Sequence, residues 1–599
     1  MHLLPRVFRS EGDVVDFNPD KILESIKKET GMPDQEAKRI TELVVRRIIS
    51  TGMKFLSGPH IREIVCSILS EQHFEEERKL YTRIGMPLMD YEDFLENAPE
   101  CINPEKVHHW AANQLAEEYS HLRLLSSEQS KAHLYGDLHV HDLKYFDLRP
   151  QAQFWDPRLI LKNGLPPGKY RSNCCKSGPA GSLNVAANHL SKWLGMMQGE
   201  FSGEQGFWSI ATFLAPYARN LSQDKVKQGV QSLIYEINQL SALVGRDAPV
   251  TSLSYSPVIL EELRGIKAIG NHGKNQGLYG DYQDECLAIF NAFSEIFLQG
   301  DYLGNPFQFP KQFIHVGLEW MNAHGPAFDA VEEQIMKNNS ICLVNATNSN
   351  IKKRIIPDNV ADPGLRAQNF GTLQQVTINL PRCAYLSKNE DEFYEILREK
   401  MKLGIQILEK KLEIIQKRME TQHLPLCTQI IDEKPLLILQ HQDLGLSFTG
   451  LDETVKALTG TALYESESSL NLGVSIANFF VKECETWSLE HSTRIIPQEN
   501  LSEIAPERFF RLDIQHFSEE CSRQMRDGKE KYTSFAFIPP SESKNIIDMI
   551  KKQAIFHELM PRGATLEMPL DSCTDAASPL RSFIKEAFRA SNIARIAFY

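Results

Sequence analysis

Apolar and polar positions along this chain follow two periods, and they alternate in blocks. Val14-Val15-Asp16-Phe17 gives a short strand, Asn18 or Asp20 stands where a helix cap is needed, and Lys21-Ile22-Leu23-Glu24-Ser25-Ile26 begins an amphipathic helix. The helical period predicts further helices around 34–50 and 59–73, and again at 180–197, 224–244 and 283–299. The run Val-Thr-Ile-Asn-Leu (376–380) is β-branched and ends at Pro381, as a buried strand does. Helical patterns interleaved with short apolar runs predict an α/β fold with a central sheet. Residues 1–96 read as a small separate domain, Asn97-Ala98-Pro99 as a linker, and residues 97–599 as the main body, without a low-complexity tract or internal repeat.

Composition narrows the function. A length of 599 residues with 42% hydrophobic and 24% charged residues suits one large core plus a smaller domain. The formal net charge of -13 argues against a general nucleic-acid binder, because phosphate-binding surfaces need clustered positive charge, yet it leaves room for a local pocket that takes a small anion. The start MHLLPRVFRS has no apolar stretch of signal-peptide length, and no run of about 18 apolar residues occurs, so a cytoplasmic protein without a membrane segment is expected. None of the 11 cysteines forms a Cys-x-x-Cys pair, and the adjacent Cys174-Cys175 is read as two reduced structural thiols.

Two groups of polar residues are candidates for chemistry. His139 and His141 in Leu-His-Val-His project to one face of a strand, where they can hydrogen-bond a ribose or phosphate, or hold a metal if a third ligand approaches. No metal is expected, and the alternative is a histidine pair satisfied by neighbouring backbone. Thr377, Asn379 and Arg382 bring a hydroxyl, an amide and a guanidinium to one strand end, which suits a phosphate or ribose; the alternative is that they satisfy local backbone. Gly304-Asn305-Pro306 reads as a turn.

QGEFSGEQGF (198–207), ATFLAPYARN (211–220) and VTINLPR (376–382) resemble the anaerobic, glycyl-radical (class III) ribonucleotide reductases. GDLHVHD (136–142), YGDYQDE (279–285), GNPFQFP (304–310) and GATLEM (563–568) continue the pattern in the family's order. The resemblance implies a ten-stranded α/β barrel in which the His-x-His pair lies beside the substrate ribose. RSEGDVVDFNPDKI (9–22) resembles the ATP-cone, a domain that binds ATP as activator and dATP as inhibitor. By matching positions, Arg9, Asn18, Lys21 and Arg62 are its expected ligand contacts, and a homo-oligomer is expected.

The chemistry departs from that frame. The family has a substrate-reducing cysteine shortly after a Leu-Arg-Pro-like turn, whereas LRPQAQFWDPRLILKNGL (148–165) holds none between Gln151 and Leu161. The family's thiyl cysteine sits at a finger-loop tip. Aligned on Ser-x-Cys, Cys342 takes that place; aligned on the preceding helix and strand, Cys342 is a core residue and the finger reads IKKRI (351–355), without a thiol. The chain ends at FRASNIARIAFY (588–599), where the family continues into a zinc module and the radical glycine, so no glycyl radical is expected in it. Three readings result: a nucleotide-responsive pseudoenzyme that binds nucleoside triphosphates, a split reductase completed by a separate radical-module or activase chain, and a nucleotide-controlled scaffold.

Overall fold

The computed structural model of the chain describes residues 6–8, 14–53, 55–82, 84–86, 88–97, 103–168, 175–244, 250–323, 325–337, 341–346, 369–524, 530–536, 545–570 and 580–599. It divides into two compact units, Met1–Ile102 with Val107–Ser130, and Asn103–Lys106 with Lys131–Tyr599. The sequence boundary at residue 96 therefore falls inside the first unit, which also takes in most of the helix Pro104–Tyr119.

In the first unit, β1 (Arg6–Phe8) pairs antiparallel with β2 (Val14–Asp16) and parallel with β3 (Phe55–Ser57). Helix Pro19–Thr30 starts where the Asn18 side chain accepts from Asp20 N at 2.9 Å, with Pro19 supplying a preset φ, and stops at Gly31 with φ 70°. Its buried face, Ile22 and Ile26, meets Ile40, Val44 and Ile48 of helix Asp34–Thr51 and Val65 and Leu69 of helix Gly58–Glu71 in one core.

The second unit is built on one large sheet. In chain order its strands are β4 (Leu138–Val140), β5 (Ala152–Trp155), β6 (Gln205–Phe207) and β7 (Thr251–Tyr255). A small hairpin of β8 (Lys267–Ile269) and β9 (Asn275–Leu278) stands apart, and then come β10 (Lys311–Val316), β11 (Ile341–Asn345) and β12 (Phe370–Asn379). A second hairpin, β13 (Ile430–Ile431) and β14 (Lys434–Pro435), precedes β15 (Gln442–Thr449), β16 (Ile495–Pro497), β17 (Thr565–Met568) and β18 (Arg595–Phe598).

The sheet order is β16-β15-β12-β5-β6-β7-β10-β11-β18-β17, with β4 also paired to β12. Strands β5, β6, β7, β10 and β11 are mutually parallel. So are β12, β15 and β16, and likewise β17 and β18. The junctions β5/β12 and β11/β18 are antiparallel, so the ten strands form two parallel halves that run in opposite directions. The path curls round on itself: Glu499, two residues past β16, accepts from Thr565 N at the start of β17 with both carboxylate oxygens at 2.9 Å. This is the ten-stranded barrel that the resemblance implies.

Side chains alternate across each strand. Trp155 of β5 meets Trp193 and Phe201 edge-on beneath helix Leu183–Met197, which identifies its face as the outer one. The opposite positions, Phe154, Ser252, Ser254, Phe313, Cys342 and Ala597, follow one another by register round the inner face. The predicted helices are present as Leu183–Met197, Gln223–Val244 and Gln283–Gln299.

Candidate functional site

The lumen has a polar wall and an aromatic wall. On the polar wall, β4 lies against β12 with His139 opposite Thr377, and β15 carries Ser447 beside Thr377. The Thr377 hydroxyl is 2.7 Å from His141 Nε2 and 2.5 Å from Ser447 Oγ. Asn500, just beyond β16, donates from Nδ2 to His141 Nε2 at 3.0 Å and to Gln375 Oε1 at 2.7 Å. The two histidine rings meet edge to face, with centroids 4.6 Å apart. Burial pushes His141 down to about 4 and holds His139 well below the usual histidine range, so both rings are neutral near pH 7. Among the described residues, His139 Nδ1 is buried without a hydrogen-bond partner.

The aromatic wall stands where β5 meets β12. Phe154 stacks on Phe370 at 5.1 Å between centroids and 8° between planes, and Trp208 stands edge-on to both at 5.8 Å. Trp208 also meets His315, whose Nε2 lies 2.8 Å from Ser254 Oγ. Gly206 of β6 makes room for the stack: a Cβ there would come within 2.6 Å of the Phe154 ring and 2.5 Å of Ser252 O. The inward positions of β5 are thus Ala152 and Phe154, neither of which can donate a hydrogen atom as a thiol does.

Cys342 lies within β11, between Phe313 and Ala597, and not at a loop tip. Burial pushes its thiol up to about 12, with Arg595 pulling the other way and Glu499 adding to the rise. Glu499 is itself raised to about 7 by burial, opposed by Arg595, whose Nη2 is 3.6 Å away. The connection from β11 to β12 joins the two halves and contains no cysteine between Ala346 and Asn369. Its IKKRI segment (351–355) lies outside the described residues.

Asn379 and Arg382 are bonded inside the protein. Asn379 caps helix Leu380–Leu386 by accepting from Arg382 N at 3.3 Å, and its Nδ2 donates to Gly136 O and Asp513 Oδ2, each at 2.9 Å. Arg382 Nε donates to Asp513 Oδ1 at 2.6 Å, and its Nη1 bonds Tyr135 O and lies 3.3 Å from Asp137 Oδ1. At 0% and 5% exposure, the two residues carry the alternative in which polar side chains satisfy their neighbours. His139, His141 and Thr377 are the predicted residues that come together in the lumen. Gln375, Ser447, Glu499 and Asn500 join them from strands and turns without a recognisable motif.

In the first unit, Asn18 is occupied as a helix cap and Lys21 is exposed. Arg62 forks onto Glu29 at 2.7 and 2.8 Å and lies over the Tyr81 ring at 4.4 Å. A pocket of about 380 Å³ opens beside it, lined by Lys79, Leu80, Thr82, Tyr119 and Arg123. Arg9 lies outside the described residues, as do Cys174 and the Ala98-Pro99 linker. No helix among the described residues is long and apolar enough to cross a membrane.

A family model described as anaerobic ribonucleoside-triphosphate reductase matches residues 96–598. The chain is 22% identical over 579 residues to the anaerobic ribonucleoside-triphosphate reductase of Salmonella typhimurium, across 86% of this chain and 79% of that protein. It is 21% identical over 439 residues to the protein of that name from Haemophilus influenzae, across 68% of this chain and 60% of that protein. The solved anaerobic ribonucleotide reductase of Thermotoga maritima with dATP in its specificity site superposes with a TM-score of 0.68 at 18% identity, over 85% of this chain and 87% of that one. The same enzyme with citrate in its active site gives 0.69 at 18% identity, over 90% and 98%. At this identity the structural likeness is one of fold.

Proposed function

The chain belongs to the anaerobic ribonucleoside-triphosphate reductase family, and on that premise we propose that it binds nucleoside triphosphates but is deficient, by itself, in ribose reduction. The observation that carries the reading is the inner face of β5. Ribose reduction needs thiols facing the sugar, and here that strand presents Ala152 and Phe154, with Phe154 stacked on Phe370. The cysteine-free connection between the halves supports the same reading. His139, His141 and Thr377 are proposed as the luminal ligand contacts, with Asn379 and Arg382 holding the frame behind them. In the first unit, ATP and dATP are proposed as effectors, with Arg9, Lys21 and Arg62 as contacts and a change of oligomeric state as the response.

A second reading has one observation in its favour. Cys342 is a luminal thiol, so a separate chain that brought a radical to the barrel would find sulfur on β11. The reductase reading then requires chemistry without a thiol on β5.

The binding reading is tested on the full chain by thermal shift with CTP, GTP and UTP. A ligand that binds only the folded state stabilises it by about 2.7 kcal/mol at roughly a hundredfold excess over Kd. The double change His139→Ala, His141→Ala is expected to abolish that shift. No shift with any of the three in the parent protein contradicts luminal binding.

A further inference from the structure

We infer that Asn500 is a positioning residue that fixes which nitrogen of His141 carries the proton, leaving Nδ1–H as the hydrogen-bonding group this ring can offer a luminal ligand. Orientations on either side of Asn500 carry the inference. Ser502 N donates to Asn500 Oδ1 at 2.7 Å, which identifies the oxygen. Nδ2 therefore faces Gln375 Oε1 at 2.7 Å and His141 Nε2 at 3.0 Å. Gln375 is oriented in turn, because its Nε2 donates to the Glu499 carbonyl at 3.1 Å.

Turning the Asn500 amide over would set N–H against N–H at Ser502 and oxygen against oxygen at Gln375. Turning both amides would move the second conflict to the Glu499 carbonyl. A network of this kind assigns amide orientation even where hydrogens are not seen. An amide N–H can only donate, so His141 Nε2 accepts, and a neutral imidazole that accepts at Nε2 is protonated at Nδ1. The Thr377 hydroxyl at 2.7 Å from the same nitrogen does not decide the matter, because it can turn its proton toward Nε2 or toward Ser447. Among the described residues the ring's hydrogen bonds are both at Nε2.

The ligand group that this arrangement suits is an oxygen acceptor, such as a sugar hydroxyl, a carbonyl or a phosphate oxygen, and a donor such as an ammonium is disfavoured. That part rests on the luminal-binding reading above. The tautomer does not, so it is measured without any nucleotide.

The test is ¹⁵N spectroscopy of the full chain labelled at histidine, with the His141 signals identified by their loss in His141→Gln. The expected result is a protonated Nδ1 and a bare Nε2. Asn500→Asp places an accepting carboxylate at the same position and is expected to move the proton to Nε2, whereas Thr377→Val removes the hydroxyl and is expected to leave it on Nδ1. A parent protein protonated at Nε2, a folded Asn500→Asp protein with an unchanged tautomer, or a Thr377→Val protein whose tautomer switches would each overturn the inference. Should Asn500→Asp not fold, the parent and Thr377→Val spectra decide between the same outcomes.

Discussion

Phe154 on β5 and Phe370 on β12 are register partners across the antiparallel junction of the two barrel halves, and their rings stack at 5.1 Å with 8° between planes. The stack ties the halves together on the inner face of β5.

Phe154→Leu keeps an apolar side chain at this junction but loses the ring pair. An aromatic pair contributes about 0.5–1.5 kcal/mol beyond its buried area, so the variant is expected to unfold more easily by that amount in a denaturant titration. Phe154→Cys places a thiol on the inner face of β5, yet without a thiol in the connection between the halves it is expected to yield no deoxynucleotide.

Arg382 and Asp513 form a buried ion pair that also holds Asn379 and the carbonyl of Tyr135. Removing one partner leaves an uncompensated charge, so Arg382→Ala is expected to cost about 3–5 kcal/mol of stability. Arg382→Lys is expected to rescue little, since one ammonium cannot reproduce the fork. Calorimetric melting reads the loss, and unchanged melting with weakened nucleotide binding would instead make Arg382 a ligand contact.

Lys411 gives the barrel a pH dependence. Its Nζ donates to Tyr145 O at 3.0 Å and Phe146 O at 2.9 Å, and burial pulls its pKa down to about 7. Between that value and about 10.4, the ordinary lysine value, the unfolded chain holds a proton that the folded chain lacks, so stability rises with pH through this window. Lys411→Met is expected to flatten the slope in denaturant titrations taken from pH 7 to 10. A slope identical to that of the parent protein would assign it to other groups.

Asn18 and Lys21 are expected to separate in their effects. Losing the Asn18 cap costs about 1 kcal/mol of stability whether or not nucleotide is present. Lys21→Ala is expected to weaken ATP binding about tenfold, equivalent to about 1.4 kcal/mol, with little effect on melting. Titration calorimetry with ATP and dATP distinguishes the two, and unchanged affinity in Lys21→Ala removes that residue from the effector site.

Much of the frame is legible in the sequence, because helices such as 183–197 and 283–299 bury one face at helical period. β12 shows the limit. Only its end, Val-Thr-Ile-Asn, reads as a strand, since its first part carries Gln374 and Gln375, whose amides are matched by partners far along the chain. The site divides in the same way. His139 and His141 announce themselves by spacing, while Asn500 reaches His141 from 359 positions away and has no local signal. Asn379 and Arg382 look like ligand contacts because Asp513, the acid that holds both, is 131 positions from Arg382. Cys342 is ambiguous for a related reason, because a short β-branched or apolar run does not reveal whether its cysteine ends a strand or tips a loop.

The most direct measurement is turnover. The full chain is incubated anaerobically with a radical-S-adenosylmethionine activase, S-adenosylmethionine, a nucleoside triphosphate and formate or a thiol reductant, and deoxynucleotide is assayed. With Ala152 and Phe154 on the inner face of β5, no deoxynucleotide above background is expected, even where thermal shift shows the nucleotide bound. Deoxynucleotide formed by this chain, and lost in Cys342→Ser, would contradict the deficiency and make the luminal thiol of β11 a working one.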